Sequence, residues 1–315
     1  MTAHLTASVA AVLAVLATTA CKSDQADEPS PYITFYAESE RGIITTENIS
    51  EFSVSAYTGH TPIMDHVTVV RTGSNSWHYS PAVMWPETPV NFYAVSPADT
   101  PLEINTSWEN TIRIVRLDGK RDILVSTCLD AIQTSTRLRL NFRHILSCVS
   151  VRIRSGNPDS RIILKKVSVK GFPTNGHYYL PKTTTRPDND AAGTWSAWGA
   201  DADYTLFEAS PEHLSLTGSY TDIGGVNFFI PSELGPIEGN WGGARIEVAY
   251  RVVDPATGAV IWPDATTPYD QLFTGDRSYA AALYWLGEGI ADHRWLPGRK
   301  YLYSLTLRHG GVVSR

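Results

Sequence analysis

Apolar and polar residues alternate at period two along most of this chain, and that pattern excludes a helical architecture before anything else is read. Ile33, Phe35 and Ala37 alternate with Thr34 and Tyr36, and Phe52, Val54 and Ala56 with Ser53 and Ser55. Leu138, Leu140 and Phe142 alternate with Arg139 and Asn141, and Val149, Val151 and Ile153 with Ser150 and Arg152. Near the end, Tyr301, Tyr303, Leu305 and Leu307 do the same. Successive side chains of a strand point to opposite faces, so each run predicts a strand with one buried and one wetter face. Further strand-like runs lie at 67–71, 90–96, 111–116, 122–127, 162–170, 226–230 and 246–253. Turn residues separate them, among them Thr72-Gly73-Ser74-Asn75, Asp118-Gly119, Asn157-Pro158-Asp159 and Thr174-Asn175-Gly176. The best helical candidate, Tyr279 to Leu286, is short. Many short strands at this spacing predict an all-β chain of sandwich architecture.

The N-terminus has a different character. Leu5 to Ala20 is an apolar stretch, too short to span a bilayer comfortably, that ends in Thr18-Thr19-Ala20-Cys21. This reads as a secretory signal peptide over residues 1–20, although Met1 to His4 carries no Lys or Arg. The Cys directly after small residues resembles a bacterial lipobox, in which Cys21 is acylated and ties the chain to a membrane. A plain cleaved leader is the alternative. Lys22 to Pro31 has no large aliphatic residue and cannot bury enough surface to fold, so residues 21–31 read as lipidated Cys and polar tether. The mature chain from Cys21 is about 295 residues, enough for two domains. The boundary is expected near Gln133 to Thr136, giving domains at 32–134 and 135–315.

Chemistry is sparse. A net charge of −6 without a run of basic residues argues against nucleic acid as a partner. There is no phosphate-cradling Gly-Lys loop, HExxH helix or Gly-x-Ser-x-Gly elbow. His60, His66 and His78 have irregular spacing, so no metal or cofactor site is expected there. His144 reads as a packed, hydrogen-bonded histidine. Cys128 and Cys148 read as two independent thiols, with a disulfide as the lesser alternative. The chain has nine Trp and fifteen Tyr, most of them in strand-like runs. Trp195 and Trp198, within the loop-like stretch Lys182 to Asp203, and Trp241, within Ser232 to Gly243, are the candidate ligand contacts. They would suit a glycan or a host protein.

Several segments, in order, resemble the fimbrillin (Mfa-like) lipoproteins, pilus subunits of Gram-negative Bacteroidota. They include Ile33-Thr34-Phe35 followed by Arg41, then Phe52 to Ala56, then Trp85 with Val90 to Pro97. Asp122 to Ser126, Leu138 to Val149 with its Phe142-x-His144-x-x-Ser147 core, and Phe228-Phe229-Ile230-Pro231 follow. Trp295 to Tyr303, with Pro297-Gly298-x-x-Tyr301, closes the series. The resemblance implies two transthyretin-like β-sandwich domains in tandem after a lipoprotein signal peptide and short tether, at the outer membrane or in a fimbrium. It implies no enzymatic activity and no cofactor, with other pilus subunits as partners through strand complementation. It also implies cleavage by a trypsin-like protease between Arg41 and Gly42. Removal of the strand carrying Ile33, Phe35 and Ala37 would then expose a groove for a neighbour's strand. Only His309 to Arg315 follows the last predicted strand, and Gly310-Gly311 would break its pleat. That favours a tip or accessory subunit over a stalk subunit.

Overall fold

A computed structural model of the chain describes residues 30–39, 49–74, 76–104, 110–114, 117–133, 137–182, 192–198, 202–210, 214–234, 243–272, 277–287, 290 and 293–314. Cys21, Arg41, Gly42 and Trp241 lie outside them. The chain is all-β, in four sheets. The first has seven strands in the order β1-β9-β8-β5-β2-β3-β4. These are β1 (Phe35–Ser39), β2 (Glu51–Thr58), β3 (Thr61–Arg71), β4 (Trp77–His78), β5 (Val90–Ser96), β8 (Leu124–Ala131) and β9 (Leu138–His144). β1 lies parallel to β9, and every other pairing in this sheet is antiparallel.

A four-stranded sheet covers part of it: β6 (Leu102–Glu103), β7 (Thr111–Ile114), β12 (Asn175–Tyr179) and β13 (Thr194–Trp198), in that order. Tyr93, Val95 and Val125 of the large sheet share a buried cluster with Leu102, Ile112 and Tyr178 of the small one. The alternation in β2 predicts a wetter face at Ser53 and Ser55, yet they are 2% and 0% exposed. The covering sheet explains this, because the central strands are buried on both faces. Serine is tolerated there because its hydroxyl is bonded: Ser55 Oγ accepts the His66 backbone N–H at 3.1 Å.

The other two sheets form the C-terminal sandwich. One is β16 (Thr221–Phe229), β10 (Ser147–Ser155), β20 (Lys300–Arg308) and β21 (Gly311–Ser314). The facing sheet runs β14 (Ala202–Glu208), β11 (Arg161–Phe172), β17 (Arg245–Val253) and β18 (Val260–Trp262). In it β15 (Leu214–Leu216) also pairs with β11, and β19 (Ala280–Trp285) with β17. Val149, Val151 and Ile153 point between the sheets at Val167, Val169, Ile246 and Val248. Trp295, fully buried, stacks on Phe172 with ring centroids 4.5 Å apart and donates its Nε1–H to Tyr303 Oη at 2.8 Å.

Three expectations need correction. The helical candidate at Tyr279 to Leu286 is strand β19, in which Ala280, Ala282 and Tyr284 are buried and pair along β17. Context overrides alanine's helical preference. The boundary at 134/135 falls between β8 and β9, which are paired neighbours in one sheet. The large sheet therefore continues to His144. The pleat does break at Gly310-Gly311, but the strand before it is not the last one. Gly310 adopts φ +79°, a left-handed turn, and β21 folds back antiparallel on β20.

Replacing Trp295 with Ala removes the largest buried ring of the C-terminal core and leaves Tyr303 Oη without its indole donor. The expected loss is about 3–5 kcal/mol, read by urea unfolding. A loss under about 1 kcal/mol would mean that the Phe172–Trp295 stack does not organise this core.

Candidate functional site

The first strand is locally amphipathic and sits where the large sheet closes. Ile33, Phe35 and Ala37 are 1–2% exposed, while Tyr36 and Glu38 face outward. Two separate parts of the chain flank the strand. On one side, β9 pairs with it in parallel, from Phe35 opposite Leu138 to Ser39 opposite Phe142, and the Leu138 N–H donates to Thr34 O at 2.7 Å. On the other side runs the segment after β4. The Ile33 N–H donates to Val83 O, and the Trp85 N–H to Pro31 O, both at 2.9 Å. Tyr79 Oη donates to Ile33 O at 2.8 Å. The two edges of the sheet meet here, and residues 31–39 fill the seam.

Phe35 is the centre of that filling. Its ring meets Phe52 at 5.9 Å and Phe92 at 6.2 Å, both edge-on, and Tyr79 at 5.6 Å. Ile33, Phe35 and Ala37 share one buried cluster with Leu140, Phe142, Val54 and Cys128. Full burial of Ile or Phe contributes about 1.5–3 kcal/mol each, so this strand is a large part of the cohesion of the N-terminal core. The outward rim adds less. Arg139 Nε donates to Glu38 at 2.9 Å, an exposed pair of the kind worth about 0–1 kcal/mol. Without residues 31–39, the edge of β9, the main chain at 83–85 and an apolar slot would all lose their partners. A strand with apolar residues at alternate positions can refill such a slot.

The tryptophans sort differently from the expectation. Trp195 and Trp198 lie on β13, not in a loop. Trp195 is half-buried, packs against Tyr178 at 5.3 Å and donates its Nε1–H to Ile145 O at 2.7 Å, a structural role at the domain junction. Trp198 is 43% exposed and meets His177 edge-on at 4.9 Å. Between β12 and β13, Gly193 is required because a Cβ would lie 2.1 Å from Tyr179 O.

The buried polar groups are structural. His144 Nδ1 lies 2.5 Å from Asp122 Oδ2, and Asp122 Oδ1 accepts the Ile123 N–H at 2.8 Å. Among the described residues no group of His, Cys, Asp and Glu could hold a metal ion. Cys128 and Cys148 are buried in different clusters and are not joined in a disulfide. Burial pushes the Cys148 thiol up to about 11 from 9.0, against the pull of Lys300.

A family model described as fimbrillin-like matches residues 38–222, more than half of the chain. No curated protein matches it. Among solved structures, a fimbrial protein from Bacteroides vulgatus is 16% identical, with 91% of this chain and 98% of that one covered and a TM-score of 0.50. A Bacteroides uniformis protein described as a cell adhesion protein is 14% identical, with 90% and 95% covered and a TM-score of 0.52. At these identities the structures show a shared fold.

With its pKa raised by burial, Cys148 carries far less thiolate than an ordinary exposed cysteine at pH 8. Iodoacetamide should therefore leave Cys148 unmodified in the folded protein and label it in urea. Rapid labelling of the folded chain, or an intact mass showing a Cys128–Cys148 disulfide, would contradict the burial described.

Proposed function

Because the chain belongs to the fimbrillin-like family, we propose that it is a cell-surface fimbrial subunit that joins neighbouring subunits by strand complementation, its own first strand being the element exchanged. The observation that carries this is the seam. Residues 31–39, which include the five-residue strand β1, supply three side chains that are 1–2% exposed, and their flanks are main-chain partners that any extended segment could use. The role is one of assembly and adhesion rather than catalysis.

In this reading Cys21 carries the lipid that delivers the precursor to the outer membrane. Cleavage between Arg41 and Gly42 then separates anchor, tether and first strand from the rest as one unit. The vacated slot accepts the strand of another subunit, with apolar residues in the places of Ile33, Phe35 and Ala37. A tip or accessory position is favoured by the state of residues 311–314, which already pair with β20. Tyr250 Oη, buried in the sandwich, reinforces this turn, lying 2.7 Å from Arg308 O and 3.1 Å from Gly311 O. A segment so engaged is not poised for donation. The exposed Trp198 beside His177 supports a second reading, a surface lipoprotein that binds glycan or host protein without polymerising.

Two variants separate cleavage from exchange. Arg41→Ala should block both proteolysis and incorporation into SDS-resistant oligomers with partner subunits. Glu38→Cys with Asn141→Cys, whose Cα atoms are register partners on β1 and β9, should allow cleavage but block incorporation until the disulfide is reduced. Equal assembly of the oxidised double variant and the wild type would rule out exchange of the first strand.

A further inference from the structure

At the pole of the C-terminal sandwich a cavity of about 550 Å³ opens between the ends of β10 and β20, the start of β11 and the turn after β15. Arg154, Arg161 and Arg308 line it, and no Asp or Glu does. That is an unusual concentration of positive charge on a chain whose net charge is −6. Among the described residues none of the three arginines forms an ion pair. The neighbouring Asp254 does not line the cavity, and its Oδ1 accepts the backbone N–H groups of Ala256 and Thr257 in its own turn.

The arginines are held to different degrees. Arg154 is positioned: its Nε donates to Thr306 Oγ1 at 3.1 Å, and its guanidinium lies 4.8 Å from the Tyr220 ring. Arg152 approaches the same ring at 4.5 Å. Arg161 and Arg308 are exposed. Three guanidinium groups around a concavity, without an ion pair among the described residues, favour an anion that enters, and their planar donors match carboxylate and sulfate oxygens. The rest of the lining is rich in hydroxyl and amide groups, including Asn157, Thr217 and Ser160. Ser160 Oγ is buried without a hydrogen-bond partner. The volume falls in the range of small-ligand sites, while the lining is too polar for an acyl chain.

We propose that this cavity binds an acidic saccharide, a sugar carrying a carboxylate or a sulfate, with Arg161 and Arg308 meeting the anion and the hydroxyl-bearing residues meeting the sugar. β10 begins beside the domain junction and ends at the cavity, roughly 27 Å away at the rise of a strand. Occupancy of the cavity therefore does not depend on the first-strand seam, and the inference stands whether or not the chain polymerises.

The test is calorimetric titration of the full chain at low salt with 3′-sialyllactose, a heparin-derived disaccharide, lactose and sodium sulfate. At least one acidic saccharide should bind, lactose should not, and added NaCl should weaken the binding. The double variant Arg161→Ala/Arg308→Ala should lose about tenfold or more in affinity with an unchanged melting temperature, because both side chains are exposed. Trp198→Ala should bind as the wild type does. The proposal is overturned if neither acidic saccharide binds, or if the double variant binds as tightly as the wild type. It is equally overturned if sulfate alone binds as tightly as the saccharides, which would mark a bare anion site.

Discussion

The N-terminal core depends on one insertion. Residues 31–39 occupy the seam at which the large sheet's two edges meet, and Phe35 is the piece that touches most of what surrounds it. The main-chain bonds on either side fix the strand's register, but side-chain burial supplies the larger share of the stabilisation. This distinction matters for exchange. Main-chain bonds are indifferent to sequence, so any extended segment can satisfy β9 and residues 83–85. The apolar slots are selective, because they require small or branched side chains at alternate positions and an aromatic or similarly large one between Phe52, Tyr79 and Phe92. In the proposed exchange, such a groove would be specific about its occupant while allowing it to be replaced.

The C-terminal sandwich is organised on the opposite principle. Its core is closed by rings and hydrogen bonds that have no replaceable member: Trp295 between Phe172 and Tyr303, and Tyr250 tying the β20–β21 turn to the opposite sheet. The two halves also share material. β12 and β13 extend the sheet begun by β6 and β7, and Trp195 binds the main chain at Ile145 between the halves.

Much of this was legible in the sequence. The alternation at Ile33 to Ala37 marked both the strand and the side chains it buries, and the same held for Leu138 to Phe142 and Val149 to Ile153. Local pattern failed where a non-local partner decides the outcome. Ala280 to Trp285 satisfies helical composition, and only the neighbouring β17 makes it a strand. Leu138 to His144 reads as a strand from either domain, and its pairing with β1 and β8 places it in the first. The polar, glycine-bearing surroundings of Trp195 concealed a strand that exists because β12 pairs with it. The arginine cavity had no sequence signal at all. Arg154 and Arg308 are adjacent only because β10 runs parallel to β20, with Ser155 opposite Leu307.

The decisive property of the N-terminal domain is whether its first strand can be replaced by a strand supplied from outside. The direct measurement is strand uptake. The full chain is nicked between Arg41 and Gly42, then incubated with a fluorescent peptide copy of residues 30–39, and incorporation is followed by size-exclusion chromatography. The labelled peptide should enter the nicked protein and displace the resident strand, and a Phe35→Asp copy should not. If the nicked protein takes up neither peptide while keeping its own strand, or takes up both alike, the seam is not an exchangeable groove.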